Sequence, residues 1–189
     1  MEEYNTLSQI CSSYKYVLID TCSISGCYEK DLPPSKNMQF ALYIKKEMLD
    51  GSRLLATKGV LGEIKNINSR KNIRYEENSF RKFAYVMTGI REYFIQNSRI
   101  ISLNNSKEYK SHRKRLRNHV LFSEASENDF TFFLTGYILF KRKNKVALIS
   151  NDNHILIPWM QFNSNSWIEP ERFKAFKRVG INDYLSALG

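Results

Sequence analysis

Four short apolar runs, separated by stretches with helical spacing, constrain this fold more than any other feature of the sequence. The runs are Tyr16–Asp20, Arg53–Thr57, Arg99–Leu103 and Lys145–Ser150. Each has the length of a buried strand, and the stretches between them are long enough for helices. Strands that alternate with helices pack as a parallel sheet with helices on its faces. We therefore predict an α/β fold, with a parallel sheet of four or five strands, in a single domain over residues 1–189.

Helices are predicted where apolar residues recur every three or four positions. The predicted ranges are 36–49, 58–68, 78–97 and 126–141. In 78–97, the clearest of them, we interpret the apolar stripe as core packing. A last extended piece is predicted around Trp167 and Ile168. The polar, strongly basic segment 104–122 is interpreted as a loop or insertion, part of which can be helical.

The charge of the chain favours an anionic partner. Its 29 Lys and Arg exceed its 19 Asp and Glu, for a formal net charge of +10. Such an excess attracts nucleic acid first and an anionic membrane surface second. No apolar run reaches the roughly 18–20 residues that cross a bilayer, and the polar, acidic N-terminus is unlike a secretory signal. We therefore expect a cytoplasmic protein with no membrane partner.

The three cysteines do not predict a zinc site. Cys11, Cys22 and Cys27 form no C-x-x-C pair, and the chain has only three histidines. We interpret the cysteines as free thiols that pack as small buried hydrophobic residues.

Four carboxylates are predicted to meet at one edge of the sheet. Asp20 closes the first apolar run, and Asp152 lies two residues beyond the fourth. Glu63 lies in the first turns of the helix after the second run, and Asp129 opens the helix predicted at 126–141. Ligands of an open parallel sheet bind outside the carboxyl ends of its strands. Since the following helices begin at that edge, acids that are distant in sequence can share one crevice there.

A cluster of this kind suits a hard divalent cation. Oxygen-only ligands favour Mg²⁺ or Mn²⁺, and carboxylates that meet without a cation raise one another's pKa values. Each acid also has a purely structural interpretation. Asp20 can simply end a strand, and Glu63 can be a solvated helix residue. Asp129 can form a capping box with Ser126, and Asp152 can lie in a plain turn. Only the joint placement of the four acids favours the metal site.

These residues resemble the PIN-domain family of nucleases. Val17–Thr21 looks like the family's opening strand, which ends in Asp followed by Thr or Ser. Leu148–Asp152 looks like its late strand, in which apolar residues precede Thr or Ser, any residue and Asp. Glu63 and Asp129 are similar to its two helix acids. The resemblance extends from about Tyr16 to Trp167 and includes the order of strands and helices.

The resemblance implies a PIN-like fold and a Mg²⁺- or Mn²⁺-dependent endonuclease, usually one that acts on RNA. The implied metal-binding and catalytic residues are Asp20, Glu63, Asp129 and Asp152; the residues that would support them are Thr21, Ser150 and Asn151. Many small members are VapC-like toxins, so a homodimer and an antitoxin protein are implied partners beside RNA. Other members process ribosomal or transfer RNA. The family often has Ser or Asn two residues after the first Asp, where this chain has Cys22.

The densest positive charge, between Lys107 and His119, precedes the helix that carries Asp129. We expect this segment to flank the crevice and to bind phosphates, with Tyr109 stacking a base. The predicted nucleic-acid-binding residues are Lys110, Arg113, Lys114, Arg115 and Arg117. The alternative is a solvated loop with no specific role, and His112 and His119 are interpreted as surface residues.

Three functions remain open at this point. The first is a metal-dependent endoribonuclease, of a toxin type or an RNA-processing type. The second is a nuclease that acts on DNA, since the contact to the RNA 2′-hydroxyl is not visible in a sequence. The third is a PIN module that binds RNA without cutting it, which would keep its affinity for nucleic acid and cleave nothing. A membrane-surface role ranks last, because no basic amphipathic helix with a large apolar face is found.

Overall fold

The fold is described from a computed structural model, which covers residues 6–25, 34–69 and 77–177. Five strands form one sheet in which every pairing is parallel. They are β1 (Tyr16–Ile19), β2 (Leu54–Thr57), β3 (Ile100–Ile101), β4 (Val146–Ile149) and β5 (Phe173–Phe176). Their order across the sheet is β3-β2-β1-β4-β5. The predicted α/β fold with a parallel sheet is confirmed.

Helices connect every pair of consecutive strands, as parallel pairing requires. Within the described ranges they are α1 (Leu7–Ser13), α2 (Thr21–Ser25), α3 (Pro34–Leu49), α4 (Lys58–Ser69), α5 (Glu77–Gln96), α6 (Lys107–Leu116), α7 (Glu127–Lys141) and α8 (Asn153–Ser164). A short 3-10 turn, Val120–Phe122, lies between α6 and α7. The connections β1–β2 and β2–β3 carry the chain to one side of β1, and the β3–β4 connection returns it to the other side.

The four helices predicted from apolar spacing are confirmed as α3, α4, α5 and α7. The extended piece predicted around Trp167 and Ile168 is wrong. These two residues lie in the turn that ends α8, where the backbone N–H of Trp167 donates to the carbonyl of Phe162. The fifth strand is instead Phe173–Phe176, which pairs with β4 along its whole length.

The basic segment 104–122 is ordered by packing on α7. Its helical part is α6, which begins with Ser106 as the N-cap. Tyr109, Leu116 and Phe122 are buried, and the Tyr109 hydroxyl lies 3.0 Å from the Thr131 hydroxyl. The expectation that Tyr109 stacks a base is therefore wrong, because its ring fills the space between two helices.

The core is built around α7. Nearly every residue of this helix from Phe130 to Phe140 is buried, so it is apolar on all sides as a central helix must be. It packs closely on the sheet at Gly136, where a Cβ would lie 2.6 Å from the Leu148 Cδ2 atom of β4. On its other faces, Phe133 makes edge-to-face contacts with Phe162 of α8. The first turn of α7 is thereby held at the carboxyl edge of the sheet.

Candidate metal centre

The predicted site lies where the strand order reverses. β1 pairs with β2 on one side and with β4 on the other. The strand after β2 is added beyond β2, and the strand after β4 is added beyond β4, so the sheet grows outward from β1 in both directions. A crevice forms at such a point, outside the carboxyl ends of the strands. Asp20 follows the last residue of β1, and Ser150, Asn151 and Asp152 follow the last residue of β4. Both segments therefore open onto the same crevice.

Asp20 lies at the base of the crevice and is only 5% exposed. One carboxylate oxygen accepts the backbone N–H of Thr21 at 2.7 Å. The other accepts the Cys22 thiol at 2.9 Å and the Ser150 hydroxyl at 3.0 Å. Burial, together with the charges of Glu63 and Asp129, raises the pKa of Asp20 from its ordinary 3.8 to about 7, although the bond from Cys22 opposes the shift. The carboxylate is thus well hydrogen-bonded but lacks a positive charge beside it.

Cys22 has a defined polar role that the sequence did not indicate. Burial and then the charge of Asp20 raise the pKa of its thiol well above the ordinary value, so the thiol stays protonated and donates to the carboxylate. It stands at the position where the PIN family often has Ser or Asn, which are also donors. Cys22 is buried, as predicted. The prediction that it packs only as a small hydrophobic residue missed the hydrogen bond that its thiol donates to Asp20.

Ser150 joins the two strand ends. Its hydroxyl donates to Asp20 and accepts the backbone N–H of Asp152 at 3.0 Å. The backbone of the intervening Asn151 bonds the Cys22 thiol. Ser150 thus contacts two of the predicted acids through its side chain, and Asn151 contacts Cys22 through its backbone; their role in supporting a metal site stays a prediction. Through these bonds Asp20 orients the segment that carries Asp152.

Glu63 is held at the crevice by two hydrogen bonds. The Thr21 hydroxyl donates to one of its oxygens at 2.5 Å, and the Asn128 amide donates to the other at 2.8 Å. The first turns of α4 and α7 approach closely, since a Cβ on Gly59 would lie 2.8 Å from the Asn128 side-chain oxygen. Glu63 is therefore not an ordinary solvated residue. Thr21 bonds both Glu63 and Asp20, and its role in supporting a metal site stays a prediction.

Asp129 combines a helix-start role with a place at the rim. It forms the capping box with Ser126, as the alternative interpretation predicted. It also offers an oxygen to a group with Asp152 and His154, in which one ligand atom from each residue lies within 4.8 Å of the others. The start of α7 carries a partial positive charge, which favours a carboxylate there. Capping and metal binding are therefore compatible at this residue.

Asp152 is the N-cap of α8 rather than part of a plain turn. Its Oδ1 atom accepts the backbone N–H of His154 at 2.7 Å and lies 3.2 Å from the His154 Nδ1 atom. The His154 side chain is 45% exposed. It was missed because α8 itself was not predicted. The available signal was an acid and an imidazole two positions apart, directly after a strand end.

The four predicted acids thus lie at the carboxyl edge of the sheet, two at the rim of the crevice and two deeper in it. Asp129 and Asp152 form the group with His154 at the rim. Asp20 and Glu63 do not belong to that group; they lie on either side of Thr21, which bonds both. The charges of Glu63 and Asp129 are nevertheless close enough to raise the pKa of Asp20.

The donor set fits a divalent cation. Two carboxylates and an imidazole within 4.8 Å of one another match the ligand types of Mn²⁺ and, with water completing the shell, of Mg²⁺. A cation at this rim would also lower the electrostatic penalty of ionising the buried Asp20.

The predicted nucleic-acid-binding side chains divide into two groups. Arg113 bonds Glu127 at 3.0 Å, and Arg117 also pairs with Glu127 and donates to two carbonyls of the loop before α7. Those two guanidiniums hold α6 against the start of α7. Lys110, Lys114 and Arg115 are exposed on α6. The prediction of phosphate contacts stays open for these three residues.

Comparison with protein families, with curated proteins and with solved structures finds no match to the chain. Among the described residues, no helix is both long enough and apolar enough to cross a membrane. The assignment of a function therefore depends on the geometry at the carboxyl edge of the sheet.

Proposed function

We propose that this protein is a metal-dependent endonuclease that hydrolyses RNA phosphodiester bonds, as members of the PIN-domain family do. The observation that carries the proposal is the group formed by Asp129, Asp152 and His154 directly beside the buried Asp20. Its position at the reversal of strand order is where open parallel sheets bind their ligands.

The roles of the residues follow from their contacts. Asp129, Asp152 and His154 would hold Mg²⁺ or Mn²⁺ at the rim, with Asp20 below them. When bound, the cation supplies activation of a water and neutralisation of charge on the phosphate. Glu63 is fixed by two donors, which leaves its carboxylate oriented toward the same crevice.

A nucleic acid is the proposed substrate class because of the charge of the protein, and RNA is preferred to DNA because of the resemblance to PIN domains. The chain has a net charge of +10 while its crevice is acidic, so the protein attracts a polyanion and the crevice itself favours a metal ion. Lys114 lies near the end of α6 that Arg113 and Glu127 tie to the start of α7. A strand bound on this basic helix would therefore be close to the metal-binding rim.

The test is a cleavage assay on single-stranded and structured RNAs beside DNAs of the same sequences, with Mn²⁺, Mg²⁺ or EDTA. Wild type is compared with Asp20→Asn and with Asp50→Asn, a matched control in an exposed turn before β2, at the opposite edge of the sheet from the crevice. We expect metal-dependent RNA cuts in wild type and in Asp50→Asn and a loss of at least about a hundredfold in Asp20→Asn.

Other outcomes would change the assignment. Cleavage of DNA without cleavage of RNA would make DNA the substrate in place of RNA. Equal RNA affinity in wild type and Asp20→Asn, without metal-dependent cleavage of any nucleic acid in either protein, would refute the nuclease and support a binding module.

A further inference from the structure

A second pocket lies away from the carboxylates, between the C-terminal part of α6, the middle of α7 and the end of α8. Its volume is about 480 Å³. Its aromatic and charged lining consists of Arg115, His119, Tyr137, Lys141, Phe162 and Trp167. Tyr137 lies two helical turns beyond Asp129 on α7, which places the pocket about 12 Å along that helix from the metal-binding rim.

The charged side chains that line the pocket are those of Arg115 and Lys141, and no acidic residue of the described part of the chain lines it. The acids of the neighbouring helix ends are paired elsewhere, Glu108 with Arg142 and Glu127 with Arg113. Within the described part of the chain, neither Arg115 nor Lys141 has a carboxylate partner. The pocket therefore presents two positive charges to whatever enters it.

Trp167 gives the pocket an aromatic surface that is exposed yet held in place. Its side chain is 45% exposed. One edge contacts Phe162, with ring centroids 5.0 Å apart, and His119 packs against it at 6.0 Å. Its backbone N–H donates to the carbonyl of Phe162, and Ser166 before it adopts φ 55°, so the chain closes α8 with a Schellman turn.

We propose that this pocket binds one nucleotide of a single-stranded nucleic acid, with the base stacked on Trp167 and a phosphate bound by Lys141 and Arg115. A flat aromatic face beside cations that have no carboxylate partner is the arrangement with which proteins hold single strands without reading their sequence. An acidic peptide or a lipid headgroup would use the cations but would leave the indole without a stacking partner.

The pocket deepens the proposed function, on which its role as a substrate subsite rests. A strand that occupies the pocket would have to cover about 12 Å, measured along the axis of α7, to reach the rim formed by Asp129, Asp152 and His154. The site would then fix how far the cut lies from a bound nucleotide. Nucleotide binding at the pocket requires no metal ion. It can therefore be tested in EDTA, independently of metal-dependent cleavage.

The experiment uses tryptophan fluorescence in EDTA. The chain has two tryptophans, and Trp159→Phe leaves Trp167 as the only reporter. The probes are a short single-stranded RNA, an abasic strand of equal length and a mononucleotide. We expect the RNA to quench Trp167 and the other two to quench it far less. In anisotropy titrations, Trp167→Ala and Lys141→Gln should each weaken RNA binding about tenfold, and Trp167→Phe should retain most of it.

Lys145→Gln is the matched control, because Lys145 is an exposed lysine after α7 that does not line the pocket. Equal loss of affinity in Lys145→Gln and Lys141→Gln would overturn the proposal in favour of general charge attraction. Quenching by the abasic strand would exclude stacking, and full quenching by the mononucleotide would overturn the assignment to a strand.

The two proposals fail in different ways. RNA cleavage that depends on Asp20, with unchanged RNA affinity in Trp167→Ala, would refute the pocket and leave the nuclease. Quenching and tenfold effects without any metal-dependent cleavage would refute the nuclease and leave the pocket as a nucleic-acid-binding site.

Discussion

Replacement of Asp20 by Asn should stabilise the metal-free protein at alkaline pH. The carboxylate is buried, and burial followed by two neighbouring acids raises its pKa from 3.8 to about 7. An Asn can keep the surrounding bonds. Its oxygen can accept the Thr21 N–H, and its amide can donate to the Ser150 hydroxyl, which has a free lone pair. The substitution therefore removes the charge, but the Asn amide group cannot accept from the Cys22 thiol and the Ser150 hydroxyl as the carboxylate oxygen does, so part of the gain in stability is lost.

The sign and size of the effect follow from linkage. Because the folded-state pKa is raised, the folded protein binds more protons than the unfolded chain between pH 3.8 and pH 7, and its stability falls as the pH rises through this range. Above pH 7 the ionised carboxylate destabilises the fold by about 4 kcal/mol, and at pH 5 this destabilisation falls to about 2 kcal/mol. Asp20→Asn should recover about 2 to 4 kcal/mol at pH 8 and much less at pH 5.

The assay is urea unfolding of wild type, Asp20→Asn and the control Asp50→Asn in EDTA at pH 8 and pH 5. Mn²⁺ should then raise the stability of wild type at pH 8 more than that of Asp20→Asn, because the cation offsets the same charge. An Asp20→Asn protein that is less stable than wild type at pH 8, or a gain that is equal at both pH values, would refute the reasoning.

Three further predictions concern other parts of the site and the core. His154→Ala should weaken Mn²⁺ binding about tenfold by calorimetry and Mg²⁺ binding less, because imidazole is a better ligand for Mn²⁺ than for Mg²⁺; equal losses would remove His154 from the metal shell. Arg117→Ala should lower the free energy of unfolding by about 2 kcal/mol, since its guanidinium donates to two loop carbonyls; an unchanged urea midpoint would contradict this. Gly136→Ala should lower it by about 1–3 kcal/mol, because the new methyl group would overlap Leu148; a stabilised variant would show that the helix and sheet can move apart.

The strands could be predicted wherever burial on both faces produced an uninterrupted apolar run. β1 and β4 are of this kind, and their predicted limits differ from the observed ones by one residue at most at each end, as with Val146–Ile149 against 145–150. β3 is only Ile100–Ile101, an edge strand that pairs with β2 alone. The apolar run predicted at Arg99–Leu103 did not show where this pairing stops.

α8 escaped prediction for a physical reason. It contains Pro158, which lacks an N–H and is usually a sign that a helix has ended. Burial of Ile155, Leu156 and Phe162 against the rest of the core outweighs that disadvantage. Because the helix was missed, so were the capping role of Asp152 and the place of His154 beside it.

The acids of the site could be predicted by position, but their partners could not. Asp20 and Asp152 follow strand ends, and a general rule places such residues in the crevice. The bonds that hold Glu63 come from Thr21 and Asn128, 42 and 65 positions away along the chain. Contacts over such separations depend on how α4 and α7 pack, and local sequence patterns carry no information about that.

The position of β1 at the centre of the sheet has a consequence during synthesis. β1 is synthesised well before β4, yet Val17 pairs with Ala147, and the rim residues Asp152 and His154 follow that partner strand. The nascent chain therefore contains Asp20 long before it can form the complete crevice. Contacts of such long range are formed late and slowly. Whatever reaction the crevice performs, it needs β4 and the residues that follow it, so it cannot begin on the nascent chain before translation has passed His154.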